Sequence, residues 1–161
     1  MFLTIFTAAI AASVIQAAPP AESKQFDFWV GEWDAVGESY NVPGKPEFTK
    51  TTATNSITRI LGGQVVHEDF HSNGLNGNSV SVYTAQTKMW HQTWVDDQGA
   101  YLPFQGGMEG KKMILYLVPK RKNRMVFENI GKDAFDWNWQ QLSKDGKTWL
   151  TAWHLHYTRK K

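Results

Sequence analysis

His67-Glu68-Asp69-Phe70-His71 spells His-Glu-x-x-His. On a helix, that spacing sets two imidazoles on one face within reach of one zinc ion, with the glutamate as general base. The surroundings exclude the helix. Gly62-Gly63 precedes, Asn73-Gly74 follows, and Val65-Val66 opens the segment. Those residues read as a short strand, which holds the two imidazoles about 13 Å apart, beyond a shared ion. No third ligand follows, so the sequence assigns no metal. Glu32, Asp34, Glu68, Asp69, Asp96 and His91 carry the remaining acid–base capacity. They form no recognisable reaction pattern. There is no cysteine nucleophile and no serine in an elbow motif. Asp96-Asp97 would point to opposite faces of a strand, or be solvated in a turn. No catalytic residue is assigned.

Binding chemistry is better represented. In Trp90-His91-Gln92-Thr93-Trp94-Val95-Asp96, strand alternation puts Trp90, Gln92, Trp94 and Asp96 on one face. A face mixing tryptophan with an amide and a carboxylate is unusual for a dry core, because buried polar groups need partners. Trp137 and Trp139 share a face further on, as do Trp149 and Trp153, with Tyr157 beyond them. Rings around a few polar anchors make a small-molecule pocket. The same rings can also simply fill an interior. The candidate ligand-binding set is Trp90, Gln92, Trp94, Asp96, Trp137, Trp139, Trp153 and Tyr157, and the expected partner is a small apolar or aromatic molecule.

The elements that must position these side chains are strands. Short alternating runs are separated by Gly62-Gly63, Asn73 to Asn78, Asp96 to Gly99, Glu109-Gly110 and Asp145-Gly146, all turn chemistry. Strands are expected at 33–40, 49–61, 64–72, 79–84, 88–95, 100–107, 111–119, 124–131, 134–143 and 148–159. Gln25 to Val30 reads as a single helical turn plugging one end. A meander of about ten antiparallel strands closes most simply into an all-β up-and-down barrel, which removes both open edges. A two-sheet sandwich is the alternative.

Gln25-Phe26-Asp27-Phe28-Trp29-Val30-Gly31-Glu32-Trp33 adds a resemblance. Gly-x-Trp at the start of a first strand resembles the opening of lipocalin-like (calycin) barrels. The whole Phe-Asp-Phe-Trp-x-Gly-Glu-Trp motif, with the Trp-His-Gln-x-Trp-Val-Asp block, resembles a family of exported bacterial domains without an assigned activity. This resemblance implies a barrel of the lipocalin or fatty-acid-binding type. It also implies that Trp33 lies across the closed end with Arg159 stacked on it, a structural closure. The ending His154-Leu155-His156-Tyr157-Thr158-Arg159 is similar to the last strand of nitrobindins. That second resemblance implies, as an alternative, a haem b cofactor with His154 as axial ligand. Without it, no cofactor is expected.

Composition limits the remaining choices. Phe2 to Val14 is apolar and uncharged and leads into Ile15-Gln16-Ala17-Ala18, a short export signal cleaved after Ala17. The run is shorter than a membrane span, so no span is expected after cleavage. The expected organisation is a signal peptide at 1–17, a linker at 18–25 and one barrel domain at 26–161, secreted or periplasmic. With no cysteine, packing of 8 Trp, 9 Phe and 5 Tyr must stabilise the fold. A net charge of +2 argues against nucleic acid, and the basic run Lys120 to Arg124 reads as a solvated turn. The sequence assigns no oligomeric state. It points to an exported barrel that binds a small apolar or aromatic molecule inside. The alternatives are a haem-binding barrel, a barrel enzyme of isomerase or cyclase type, and a packed protein-interaction module.

Overall fold

The computed structural model describes residues 19–161. The segment read as an export signal, with its cleavage point, lies outside the described residues. Ten strands follow one another: β1 Gly31–Tyr40, β2 Phe48–Ile60, β3 Val65–Ser72, β4 Asn76–Thr84, β5 Met89–Asp96, β6 Tyr101–Glu109, β7 Lys112–Leu117, β8 Asn123–Glu128, β9 Ala134–Leu142 and β10 Trp149–Arg159. Each pairs antiparallel with its chain neighbours, and β1 closes on β10. The fold is an all-β up-and-down barrel, with no open edge to cover.

Alternation sets what points inward. In β2, Thr51, Ala53, Asn55 and Ile57 are buried while Lys50, Thr52 and Thr54 are exposed. In β3, Val66, Glu68 and Phe70 are the buried residues. In β5 the buried pair is Trp90 and Gln92. Threonine, valine and aromatic residues suit these pleated, half-buried ribbons. The β2–β3 connection turns on Gly62 and Gly63, both at positive φ, which glycine adopts without a Cβ penalty.

One barrel end is plugged from the N-terminal side. A 3-10 turn at Ala21–Lys24 leads into turns that carry Phe26 and Trp29 into the interior, both essentially inaccessible to solvent. The helical turn thus lies a few residues before the expected Gln25–Val30, within the segment expected to be a linker. Phe26 packs edge-on against Trp90 at 4.7 Å and Phe127 at 5.6 Å between ring centroids. Arg59 of β2 fastens the plug by donating to the Ser23 carbonyl, the Asp27 carboxylate and the Gly63 carbonyl. The β1–β2, β3–β4, β5–β6, β7–β8 and β9–β10 connections gather at the opposite end.

Trp33 and Arg159 finish the plugged end. They are register partners on β1 and β10. Trp33 is fully buried, and its indole N–H donates to the Trp29 carbonyl at 2.8 Å. The Arg159 guanidinium covers the ring, 4.1 Å from its centroid, and donates to the Val30 and Phe28 carbonyls. Gly31 sits at φ 137°, where a Cβ would run into that guanidinium. The glycine of Gly-x-Trp is therefore required for the arginine to lie where it does.

Candidate ligand-binding site

Beneath the plug the interior is open. A cavity of about 270 Å³ runs from Trp29 toward Leu75 and Asp96 at the unplugged end. Six of the ten strands contribute to its wall. β3 gives Glu68 and Phe70, β5 gives Gln92, Trp94 and Asp96, and β6 gives Leu102 and Phe104. β8 gives Met125 and Phe127, β9 gives Trp137 and Trp139, and β10 gives Trp153, Leu155 and Tyr157. The rings interlock edge to face. Trp137 meets Trp153 at 5.3 Å, Phe70 meets both Trp94 and Trp153 at 5.9 Å, and Phe104 meets Trp139 at 5.8 Å.

Trp94 is oriented from two sides. Its indole N–H donates to Asp96 at 2.9 Å. Its ring lies over Gly77 of β4, where a Cβ would overlap it. Asp96 also accepts from the Gln98 and Ala100 amides at the start of the β5–β6 turn. Burial works against its charge, but these three donors hold the carboxyl below the usual carboxylate range.

A polar network crosses one side of the aromatic wall. Asn55 Nδ2 donates to Glu68 Oε1 at 2.8 Å, and Ser79 Oγ donates to Glu68 Oε2 at 2.6 Å. Gln92 Nε2 donates to Ser79 Oγ at 3.1 Å, and Asn55 Nδ2 lies 3.4 Å from the Tyr157 hydroxyl. Burial pushes the Glu68 carboxyl up to about 7, against the opposing pull of its Ser79 and Asn55 bonds. Burial and the neighbouring Glu68 charge raise the Tyr157 hydroxyl as well. Several buried polar atoms have no partner in the protein: Gln92 Oε1, Trp29 Nε1 and Trp153 Nε1, all from wall residues, and Asn55 Oδ1 and Ser81 Oγ. Unpaired buried groups of this kind are uncommon, and each calls for a physical account such as a bound water or ligand.

The structure sorts the sequence candidates. Gln92, Trp94, Asp96, Trp137, Trp139, Trp153 and Tyr157 are brought together around the cavity. Trp90 is not among them. It shares their face but sits deeper, fully buried against Phe26, with its N–H given to Gln25 Oε1. Trp149 does not share a face with Trp153, because the β9–β10 register shifts between Thr151 and Trp153. That irregularity sends Trp149 outward, where Arg124 lies 4.1 Å over its ring. Trp29, Glu68, Phe70, Leu75, Leu102, Phe104, Met125, Phe127 and Leu155 complete the wall and were not in the candidate set. Alternation through Val66, Glu68 and Phe70 was a legible signal for Glu68.

The histidines lie outside. His67 bonds Asn78, and His71 bonds Asn76 and Asp69, on the outer face of β3. His-Glu-x-x-His is therefore a strand pattern with its glutamate inside and both histidines outside. His91 bonds Thr87, His156 bonds Asp136, and His154 bonds Asn138 Oδ1 at 3.0 Å. His154 alternates with the inward Trp153 and Leu155, so it faces away from the cavity. His154 therefore does not face the cavity, as axial ligation of a haem held there would require.

No family model matches the chain, and no curated protein matches it. Among solved structures it is similar to the S-type phycobiliprotein lyase of Guillardia theta, with a TM-score of 0.57 and 13% sequence identity. The match covers 89% of this chain and 99% of the lyase. The likeness is one of fold, a lipocalin-like barrel over nearly the full length of both chains. Among the described residues no helix is long and apolar enough to cross a membrane.

Proposed function

We propose that this protein binds a small, largely apolar or aromatic molecule inside its barrel. The observation that carries the reading is the 270 Å³ cavity itself, walled by tryptophan and phenylalanine, with Gln92 Oε1 and two indole N–H groups left unpartnered. An apolar lining with a few fixed polar groups is the usual make-up of a ligand site. An interior filled solidly by rings would have favoured a packed interaction module instead. The likeness to a lipocalin-like barrel supports the same reading. Export follows from the apolar N-terminal run, and the mature chain then begins at Ala18, which the intact mass of the secreted product checks.

The test is titration with a hydrophobic fluorescent probe. Bound in the cavity it lies against Trp94, Trp137, Trp139 and Trp153 and quenches their emission. Saturable quenching with one site per chain supports the reading. Absence of any saturable binding, together with a native mass showing no retained molecule, overturns it.

One observation favours a second reading, a barrel enzyme of isomerase type. Glu68 is buried in an apolar cavity wall with its carboxyl near neutrality. A group of that kind can take a proton from an apolar substrate and return it elsewhere. Turnover abolished by Glu68→Gln would establish it.

A further inference from the structure

The wall of the cavity contains two carboxyl groups, Glu68 and Asp96, and no lysine, arginine or histidine. Lys50 belongs to a separate hollow beyond the mouth, which shares Leu75 and Trp153 with the cavity. A buried anion needs a cation or several donors around it. A carboxylate ligand placed here would meet two acids and only neutral donors, the indole N–H groups and the Tyr157 hydroxyl.

The acceptors, in contrast, are free and fixed. Ionised Glu68 takes one bond at each oxygen, from Asn55 and from Ser79, which leaves further lone pairs on both. Ser79 has a single hydroxyl proton, and it goes to Glu68. Ser79 Oγ can then only accept from Gln92, so the Gln92 nitrogen must lie on that side. The amide oxygen is thereby committed to the other direction, where it has no partner although Gln92 is only 3% exposed. Leaving such an acceptor unmade is costly, and a ligand donor would recover that cost.

We propose, resting on the interior-ligand reading, that the cavity selects molecules that carry an N–H donor on an apolar frame, and rejects anionic ligands such as fatty-acid carboxylates. The donor bonds Gln92 Oε1 and Glu68. The aromatic walls hold the frame. Trp29 and Trp153 offer their N–H groups to an acceptor elsewhere on the same molecule.

Calorimetric titration of the full mature protein at about pH 8 tests this with one ring system in four forms: naphthalene, 1-aminonaphthalene, 1-naphthylmethylamine and 1-naphthoate. The neutral and the cationic amine separate two sources of the same N–H chemistry. At least one amine binds about tenfold or more tighter than naphthalene, the scale of one recovered hydrogen bond, and naphthoate binds weakest. In Gln92→Leu and in Glu68→Gln, the ratio of amine to naphthalene affinity falls toward one. Naphthalene binding shows in the same experiment that each variant barrel is folded. Naphthoate binding as tightly as the amines and undiminished in Lys50→Ala overturns the proposal, whereas naphthoate binding lost in Lys50→Ala lies at the mouth and agrees with a cavity that rejects anions. Equal affinity for all four compounds overturns donor selection and leaves the interior-ligand reading standing. Binding of none overturns both.

Discussion

Arg159 lies 4.1 Å from the centroid of the Trp33 ring, and its guanidinium donates to the Val30 and Phe28 carbonyls beside that ring. One side chain thus covers the indole and ties the last strand to the segment that plugs the barrel. The cation–π contact is worth about 0.5–2 kcal/mol, and the carbonyls would otherwise lose their partners.

Trp33→Ala is therefore expected to destabilise by about 3–5 kcal/mol, the range for deleting a large buried ring. Arg159→Ala costs less, because part of the freed space and the carbonyls can be reached by water. Urea denaturation of both single variants and the double variant checks the assignment. Trp33 and Arg159 must couple, and additive losses would mean that the two act separately.

Gly77 governs the pocket from the neighbouring strand. A Cβ at this position overlaps the Trp94 ring. Gly77→Ala is expected to push that ring off its present place, break its bond to Asp96 and lower probe affinity by about tenfold, while the barrel remains folded. Near-ultraviolet circular dichroism and probe titration read the two effects separately. Unchanged affinity would show that Trp94 does not shape the bound state.

Much of the fold was legible because period-two alternation and glycine-rich turns carry the same message in every hairpin. Depth along the barrel axis was not. Alternation told which face Trp90 occupies, but only the packing of Phe26 shows that this level belongs to the plug. Trp149 was misplaced because one irregularity near Ala152 inverts the alternation of everything before it. Glu68 was obscured by a motif that matters only on helices, although Val66 and Phe70 on either side already marked its parity. Leu102, Phe104, Met125 and Phe127 lay in strands with weaker aromatic signals.

Trp153 Nε1 is buried without a partner, and its ring lines the cavity. Trp153→Phe removes the unpaired donor and keeps most of the ring contact with Trp137 and Phe70. Stability is expected to change by less than about 1.5 kcal/mol, since the smaller ring leaves little void and no polar group is orphaned by the change. Affinity for a ligand with an acceptor group falls, while affinity for a pure hydrocarbon does not. Calorimetry with 1-acetylnaphthalene against naphthalene makes that comparison. An equal loss for both compounds would assign Trp153 to ring contact alone.

Glu68 gives the barrel a stability that depends on pH. Its carboxyl is pushed from 4.5 to about 7 by burial, with Tyr157 from β10 and Asp69 on its own strand as the ionisable neighbours. The folded protein thus holds this proton more tightly than the unfolded chain does. Below 4.5 both states are protonated and Glu68 imposes no penalty. Between 4.5 and about 7 the unfolded chain loses its proton first, so stability falls as pH rises. Above 7 the full cost is present, on the order of 3 kcal/mol. Asp96 and Asp136 have the opposite sign, but both are held below their ordinary 3.8 and act in more acidic solution. Glu68→Gln keeps an acceptor for Asn55 and removes the charge. Its unfolding free energy is expected to be flatter than that of the unmodified protein between about pH 5 and pH 8, with the variant the more stable at the upper end. Parallel urea-denaturation profiles across that window would mean that Glu68 does not titrate there in the folded barrel.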